Sequence, residues 1–389
     1  MTTTEVLALR ILVLTKRRYM AKDLIDDHFG RFWELPFELA ALGHDIKGLT
    51  LSYRGRAEGD FIERDGKDKP AIIWSSVNLM RGYFPQMERY ARRALEIVQQ
   101  FRPDIIWACS DAYHAIFGRW LAKRTTARHV IDLYDNFEAF SASKIPGVLS
   151  AFRRAVKAAD GVTAFSARLA GHVERSCPRT KPTVVIENGI RKDLFGPRNK
   201  NACRERLGLP IDRVIIGTAG ALDKSRGIET LFQAFRALTH EIDDLHLALA
   251  GPRPPRLAIP VGVRVHDLAN LPHQNVAEFL NALDLAVICY RNSPQGEISF
   301  PQKTYEIVAC RTPLVAARVG SMTELLKNYP ECLFQPENPV SLVEAIRRQL
   351  KHKIVVEIPV PSWNDSARRL SAFFQQLLAD DPISDMSFS

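Results

Sequence analysis

The stretch GEISFPQKTYEIVACRTPLVA, Gly296 to Ala316, sets the pattern for the chain. It opens on a glycine-containing loop, starts a helix, runs through one short helix and ends in a buried strand. Ser299 stands where it can cap that helix, with Gln302 three residues on, and Pro301 falls in the first turn, where its missing N–H costs nothing. Lys303 and Glu306 then share one face near the positive end of the helix dipole. An anion such as a diphosphate, with a hydroxyl-bearing sugar beside it, suits that arrangement. The alternative is a surface Glu–Lys pair on an ordinary helix, and a motif this short does not decide between them.

Working outward, apolar runs alternate with helix-period segments. Strands are predicted at Leu9–Leu14, Asp45–Leu51, Ala71–Trp74, Asp104–Ala108, His129–Leu133, Gly161–Phe165 and Thr183–Glu187. Helices are predicted between them at Phe32–Leu42, Gln86–Phe101, Ala112–Lys123, Val148–Ala159 and Ser166–Arg175. A second series has strands at Arg213–Thr218, Leu245–Ala250, Asp284–Cys289 and Pro313–Ala317, with helices at about Ile228–His240, Asn275–Leu283 and Gln302–Cys310. Such alternation implies βαβ units and parallel, doubly wound sheets. The turn-rich segment from Ile186 to Pro197, with its Asn-Gly and Gly-Pro pairs, reads as a linker. The expectation is an α/β chain of two Rossmann-like domains facing across a cleft: residues 1–187, residues 188–358, and a segment 359–389 whose helix, about Trp363–Leu378, crosses back to the first half. Ligands of such sheets bind beyond the carboxyl ends of the strands. The tail from Asp380 reads as frayed.

Composition agrees. A chain of 389 residues is long for one core, and 46% hydrophobic with 25% charged residues is a globular balance. With 53 basic and 44 acidic residues the net charge is +9, which favours acidic partners such as phosphorylated ligands or an anionic membrane surface. The basic residues are dispersed and no aromatic-basic motif appears, so no nucleic-acid partner is expected. Six widely spaced cysteines form no CxxC or His/Cys cluster of the kind zinc needs, and reduced, buried thiols in a cytosolic protein are expected. No apolar run reaches 18 residues and the apolar stretch Val6–Leu14 is interrupted by Arg10, so neither a membrane span nor a signal peptide is predicted.

The loop after the first strand of the second series runs Gly217-Thr218-Ala219-Gly220-Ala221-Leu222-Asp223-Lys224-Ser225-Arg226-Gly227. Its small residues would let backbone N–H groups approach an anion, and Lys224 and Arg226 bring charge. It is neither the dinucleotide fingerprint nor a Walker loop, and a structural turn with solvated basic residues is the alternative. In the first series, Asp132 to Glu138 follow a strand and should lie at the ligand end of the sheet, as should Asp111 and His114; capping of the next turn is the alternative for such residues. The run Phe29, Phe32, Trp33 and Phe37 reads as core, with acceptor binding as the alternative.

Taken in order, Asn188-Gly189 with Phe195, Gly220-x-Leu222 with Arg226-Gly227, Leu247–Gly251, Asp284, Pro301-x-Lys303-x-x-Glu306 with Ala309 and Pro313, and Gly320-x-x-x-Glu324 resemble the carboxyl-terminal half of the family-4 retaining glycosyltransferases of the GT-B fold. Leu42-Gly43-His44, Pro103-Asp104 and Asp160 with Ser166 resemble their first half more loosely. The resemblance implies that Arg226, in place of a lysine, holds the donor diphosphate. Glu306 is similar to the second glutamate of a paired-glutamate motif that anchors ribose, and Lys303 to a lysine reaching the same phosphates. The first glutamate of that motif falls on Ile298 here, with Glu297 one residue off register, and Lys224 stands in for a basic residue absent at Ala221. Asp135 resembles the polar residue presented to the reacting sugar, and Gly30-Arg31 would approach the phosphates from the first half.

The implied function is transfer of a sugar from a nucleotide-sugar donor, UDP- or GDP-linked, to a glycan or lipid-linked acceptor, with retention and without a metal or other cofactor. Asp135, Arg226, Lys303 and Glu306 are the expected catalytic residues. Gly30, Asp111, His114, Gly220, Leu222, Lys224, Glu297, Ser299, Gly320 and Glu324 are expected to bind substrate. A cytoplasmic chain docking at the inner face of an anionic plasma membrane fits the charge. Two alternatives stand beside it: a non-catalytic nucleotide-sugar-binding or scaffold subunit, favoured by Ala221 and Ile298, and a GT-B sugar-nucleotide epimerase.

Overall fold

The computed structural model describes residues 7–19, 22–66, 69–81, 84–298 and 302–379. The chain divides into two compact units, Met1–Asn188 with Trp363–Ser389, and Gly189–Ser362.

The first unit contains β1 (Arg10–Lys16), α1 (Arg31–Ala41), β2 (Asp45–Ser52), β3 (Gly59–Arg64), β4 (Ala71–Asn78), α2 (Met87–Phe101), β5 (Ile105–Ala108), α3 (Ala112–Ala122), β6 (Arg128–Leu133), α4 (Val148–Ala158), β7 (Gly161–Ala164), α5 (Ala167–Ser176) and β8 (Thr183–Val185). Its eight-stranded sheet has the order β8-β7-β6-β5-β1-β2-β4-β3. Ile11 of β1 pairs with Ile46 of β2 on one side and Ile105 of β5 on the other, both in parallel. Central strands covered by helices on both faces bury their middle residues, which is why Ile11 to Leu14 of β1 form an unbroken apolar run. The β3 strand is different. Its sequence GDFIER is largely solvent-exposed and pairs antiparallel at the sheet edge. Charged side chains on such an edge discourage pairing with another chain, and they also hide the strand from a search for apolar runs.

The second unit contains α6 (Lys200–Leu207), β9 (Val214–Ala219), α7 (Ile228–Leu238), β10 (Leu245–Ala250), β11 (Val265–Asp267), α8 (His273–Ala282), β12 (Leu285–Ile288), α9 (Pro294–Ile298), α10 (Lys303–Ala309), β13 (Leu314–Ala317), α11 (Ser321–Leu325), β14 (Leu333–Phe334) and α12 (Pro339–Lys351). Its six strands are all parallel in the order β11-β10-β9-β12-β13-β14. The sequence reading leaves α6 and α12 out. The Asn338 side chain accepts from Ser341 N and Pro339 occupies the first turn, so an Asn-Pro pair opens α12.

The last helix, α13 (Trp363–Ala379), belongs to the first unit. Trp363, Phe373 and Phe374 are buried with Trp33, Phe37 and Trp107. His44 Nε2 and Ser371 Oγ lie 2.7 Å apart, and Asn364 Nδ2 donates to Glu38 Oε2 at 2.9 Å. The two chain crossings between the units run side by side. Ser366 Oγ donates to the Glu187 carbonyl at 2.8 Å, and Ile190 N to the Pro361 carbonyl at 3.0 Å. All six cysteines are buried and unbridged. Among the described residues no helix is long and apolar enough to cross a membrane.

Candidate functional site

In each sheet the strand order reverses beside the first strand of the unit, between β1 and β5 and between β9 and β12. Crevices for ligands form at such switch points, beyond the carboxyl ends of the strands.

In the second unit the β9 loop closes as a short 3₁₀ turn, Lys224–Arg226, capped by Asp223, whose side chain accepts from Ser225 N at 2.7 Å. Arg226 approaches Tyr290, at the end of β12, with Nη1 3.4 Å from its hydroxyl. Lys303 enters from the first turn of α10, and its Nζ donates to the Ala219 carbonyl at 3.1 Å. Gly220 sits at φ +104, a backbone conformation that favours glycine. Burial, then the positive charge of Arg226, push Lys303 down to about 8. Two cations thus sit together, and neither forms an ion pair with a carboxylate among the described residues. Glu306 does not pair with Lys303; its Oε1 is 3.8 Å from His273 Nε2, at the start of α8, and its side chain is 13% exposed. That removes the ordinary surface Glu–Lys pair as a reading of this helix.

Other expected residues are placed differently. Gly220 N donates to the Ala250 carbonyl and Leu222 N to that of Pro252, each at 2.9 Å; Arg226 N and Gly227 N bond within the turn. The loop therefore spends these four amides on itself and on the end of β10, and the Arg226 side chain turns toward Tyr290. Leu222 is 1% exposed and packs in the core. Lys224 turns outward to Glu229, 2.8 Å away, and does not join the cation pair. Around Glu297 the expected loop is the short helix α9, and Gly320 abuts it: at φ +55, a Cβ there would lie 2.6 Å from the Gly296 carbonyl and 2.7 Å from that of Glu297. Only glycine fits that approach. Glu324 is exposed on α11, whose Ser321 hydroxyl is buried without a hydrogen-bond partner among the described residues. Ser299 and Pro301 lie outside the described residues. Gln302 precedes α10 without capping it through its side chain, and its amide donates to the Gly189 carbonyl at 3.2 Å.

In the first unit Asp111 caps α3, accepting from His114 N at 3.0 Å and contacting His114 Nδ1 at 2.7 Å, while the Tyr53 hydroxyl donates to its other oxygen at 3.0 Å. Burial opposes its ionisation, but His114 and Lys16 outweigh that and hold the carboxyl down to about 2. The capping alternative is thus the one the structure displays for Asp111, which is 6% exposed. Asp135 follows β6, and its carboxylate accepts from Asn136 N at 2.7 Å. Gly30 opens α1 with φ +88, and a Cβ there would meet the Tyr19 ring at 2.7 Å. Arg31 is not available to phosphate. It is fully buried, bonds Asp132 through Nε at 2.8 Å and Nη2 at 2.7 Å, and reaches Asn188 Oδ1 at 2.9 Å.

Sequence reasoning did not single out Tyr290, His273 or Lys16. Tyr290 has a legible signal, standing directly after an apolar strand; His273 follows Pro272 at a helix start, but nothing local ties it to Glu306. Among the described residues no group of three or more His, Cys, Asp or Glu side chains is placed to hold a metal ion.

Two family descriptions match the chain: a glycosyl transferase 4-like domain over residues 31–189 and glycosyl transferases group 1 over residues 213–352. The chain belongs to the group 1, family-4-like glycosyltransferases. A Bacillus subtilis protein named for teichuronic acid biosynthesis, TuaC, is 26% identical over 52% of this chain and 50% of its own length. The D-inositol 3-phosphate glycosyltransferase of Xylanimonas cellulosilytica is 30% identical over 42% of this chain and 41% of its own. The chain thus spans about half the length of the curated relatives it matches. Among solved structures, sucrose-phosphate synthase from Thermosynechococcus elongatus superposes with a TM-score of 0.76 at 19% identity, covering 96% of this chain and 100% of that one. Anabaena HepE in complex with UDP gives 0.65 at 17% identity, covering 96% and 99%. These likenesses show the fold, an α/β architecture of two Rossmann-like domains.

Proposed function

We propose that this member of the family transfers a sugar from a nucleoside diphosphate sugar to a hydroxyl of a glycan or lipid-linked glycan, with retention at the anomeric carbon and without a divalent ion. The observation that carries the reading is the Arg226–Lys303 pair, two cations at a sheet switch point, neither in an ion pair with a carboxylate among the described residues. A diphosphate is the group that fills such a site, and cations held in place before reaction stabilise the charge that develops on it as it leaves. Glu306, across from His273, is suited to accept from ribose hydroxyls. In the reaction the bond from the anomeric carbon to the diphosphate oxygen breaks and the bond to the acceptor oxygen forms on the same face. The acceptor proton passes to the departing phosphate. Asp135, at the end of β6, would face the transferred sugar.

UDP is the first nucleotide to test, since the HepE structures contain UDP and UDP-glucose. The names of TuaC and of a second Bacillus subtilis relative, TuaH, refer to teichuronic acid biosynthesis and support a polysaccharide as the acceptor. A cytoplasmic chain meeting an anionic membrane at its lipid-linked acceptor accords with the +9 charge. Calorimetric titration of the full chain with UDP and GDP checks the reading: one of the two should bind, and Lys303→Met should weaken it by about 10- to 100-fold. Binding that ignores the substitution, or no binding of either nucleotide, would sink the donor assignment. Binding without release of nucleotide from any sugar donor, in wild type and Glu306→Ala alike, would identify a scaffold subunit instead.

A further inference from the structure

Neighbouring helices of the first unit treat their basic residues differently. On α2, Arg89, Arg92 and Arg93 each form an ion pair, with Glu58, Glu88 and Asp60 at 3.3, 2.7 and 2.6 Å. On α3, on α4 and at the turn ending at Lys144, the side chains of Arg119, Lys123, Arg124, Lys144, Arg154 and Lys157 form none among the described residues. All of these but Arg119 are exposed. The carboxylates that border α4 are taken, Glu138 by Arg153 at 2.8 Å and Asp160 by Lys181 at 2.7 Å. Arg119 Nη1 donates to the Arg154 carbonyl at 2.8 Å, which brings the cations of the two helices onto one surface. Arg124 donates to the Trp120 carbonyl at 2.8 Å with its guanidinium 4.0 Å from the centre of that ring. Apolar groups share this surface. Ile145, beside Lys144 and just ahead of α4, is 51% exposed, and Val148 and Leu149 in the first turn are half-buried. Because α3 follows β5 and α4 follows β6, both helices begin at the carboxyl ends of the strands, where this unit's crevice forms. Ile145 therefore stands at the crevice end of the surface, and Lys123, Arg124 and Lys157 at the far end.

We infer that the outer face of α3 and α4 docks on an anionic lipid bilayer, with the unpaired cations at the headgroup phosphates and Ile145 entering the acyl boundary. Each Lys or Arg held near such a surface is worth about fivefold in partition, so cations spread along two adjacent helices act together. Their long stems lie along apolar surface while the charged ends stay in water, and a tryptophan beside an arginine suits the same depth. A soluble acidic polymer would use the cations but would leave Ile145 in water, so the mixed character of the surface favours a bilayer. Docking on this side brings the membrane to the mouth of the first unit's crevice. It rests on the lipid-linked-acceptor reading and is independent of Arg226 and Lys303.

Vesicle co-sedimentation of the full chain tests the docking. Mixed phosphatidylglycerol–phosphatidylcholine vesicles should capture the chain about tenfold or more better than phosphatidylcholine alone, with a preference that shrinks as salt rises. The triple variant Lys123→Gln, Arg154→Gln, Lys157→Gln should weaken capture about 30-fold or more. A charge-matched triple in the second unit, Arg213→Gln, Arg311→Gln, Arg347→Gln, removes cations already paired with Asp244, Glu357 and Glu241 and should weaken it by less than about threefold. Ile145→Ser should lose about threefold or more at low and high salt alike, since an apolar contact is not screened. Melting temperature and UDP affinity should hold in every variant. Equal capture by neutral vesicles, no capture by either kind, or equal losses in the two triples overturns the inference. So does capture unmoved by Ile145→Ser but abolished by soluble polygalacturonate, which would make the partner an acidic polymer. Absence of UDP binding with vesicle capture intact would instead remove the donor reading alone.

Discussion

The two switch points are built on the same plan and carry different side chains. In the second unit Arg226 and Lys303 stand together with a carboxylate, Glu306, held apart beside His273. In the first, the Lys16 ammonium donates to the Tyr134 hydroxyl, and the buried Asp111 is held by His114 and Tyr53. The proposed polyanion site thus lies in the second unit, where Arg226 and Lys303 form no ion pair with a carboxylate among the described residues. Parallel sheets supply the location in both cases, but the residues that follow β1, β5, β6, β9 and β12 decide the chemistry.

The contrast breaks most completely if the cations are removed. The double variant Arg226→Ala, Lys303→Met should lose about 1,000-fold or more in nucleotide release from a sugar donor, since single preorganised donors are each worth about 100- to 1,000-fold. Retention of activity within tenfold would mean that the second unit's charge is incidental. A stability test comes next. Asp132→Asn strands the buried Arg31 and should cost about 3–5 kcal/mol, read as a lower denaturant midpoint, because an uncompensated buried charge is left behind. An unchanged midpoint would show that Arg31 finds another partner. The smallest effect sharpens the comparison through pH. Lys303 sits at about 8 in the folded chain against an ordinary 10.5, so above 8 its charge is lost and UDP affinity should fall by about tenfold per pH unit at most. Over the same window the unfolded chain keeps the proton the folded chain has shed, so stability of the nucleotide-free protein should rise with pH between 8 and 10.5. Lys303→Met should flatten both trends, measured by calorimetry and by denaturant titration across pH.

Much of this architecture is legible along the chain. Buried parallel strands carry apolar cores such as Ile11–Leu14 and Leu247–Ala250, so the alternation of strands and helices follows from the hydrophobic pattern. The exposed edge strand β3 carries no such run, and α12 begins on an Asn-Pro pair that also marks turns. At the candidate sites, Lys303, Glu306 and Arg226 are legible because each belongs to a local pattern. What spacing does not reveal is the partner each group chooses. Glu306 faces His273, thirty-three positions earlier in the chain, and Arg226 faces Tyr290, because β9 and β12 are neighbours in the sheet. The Gly220 and Leu222 amides look free for an anion in sequence and are occupied by the strand beside them.

The side-by-side crossings at Glu187–Ser366 and Ile190–Pro361 have an engineering consequence. The second unit is an insertion whose beginning and end meet, so a cut after Asn188 and before Trp363 leaves two ends of the first unit close enough to be rejoined by a brief linker. The excised Gly189–Ser362 would carry the Arg226–Lys303 pair entire, and the rejoined remainder would keep α13 against α1. Each half could then be weighed against its own ligand in a separate tube.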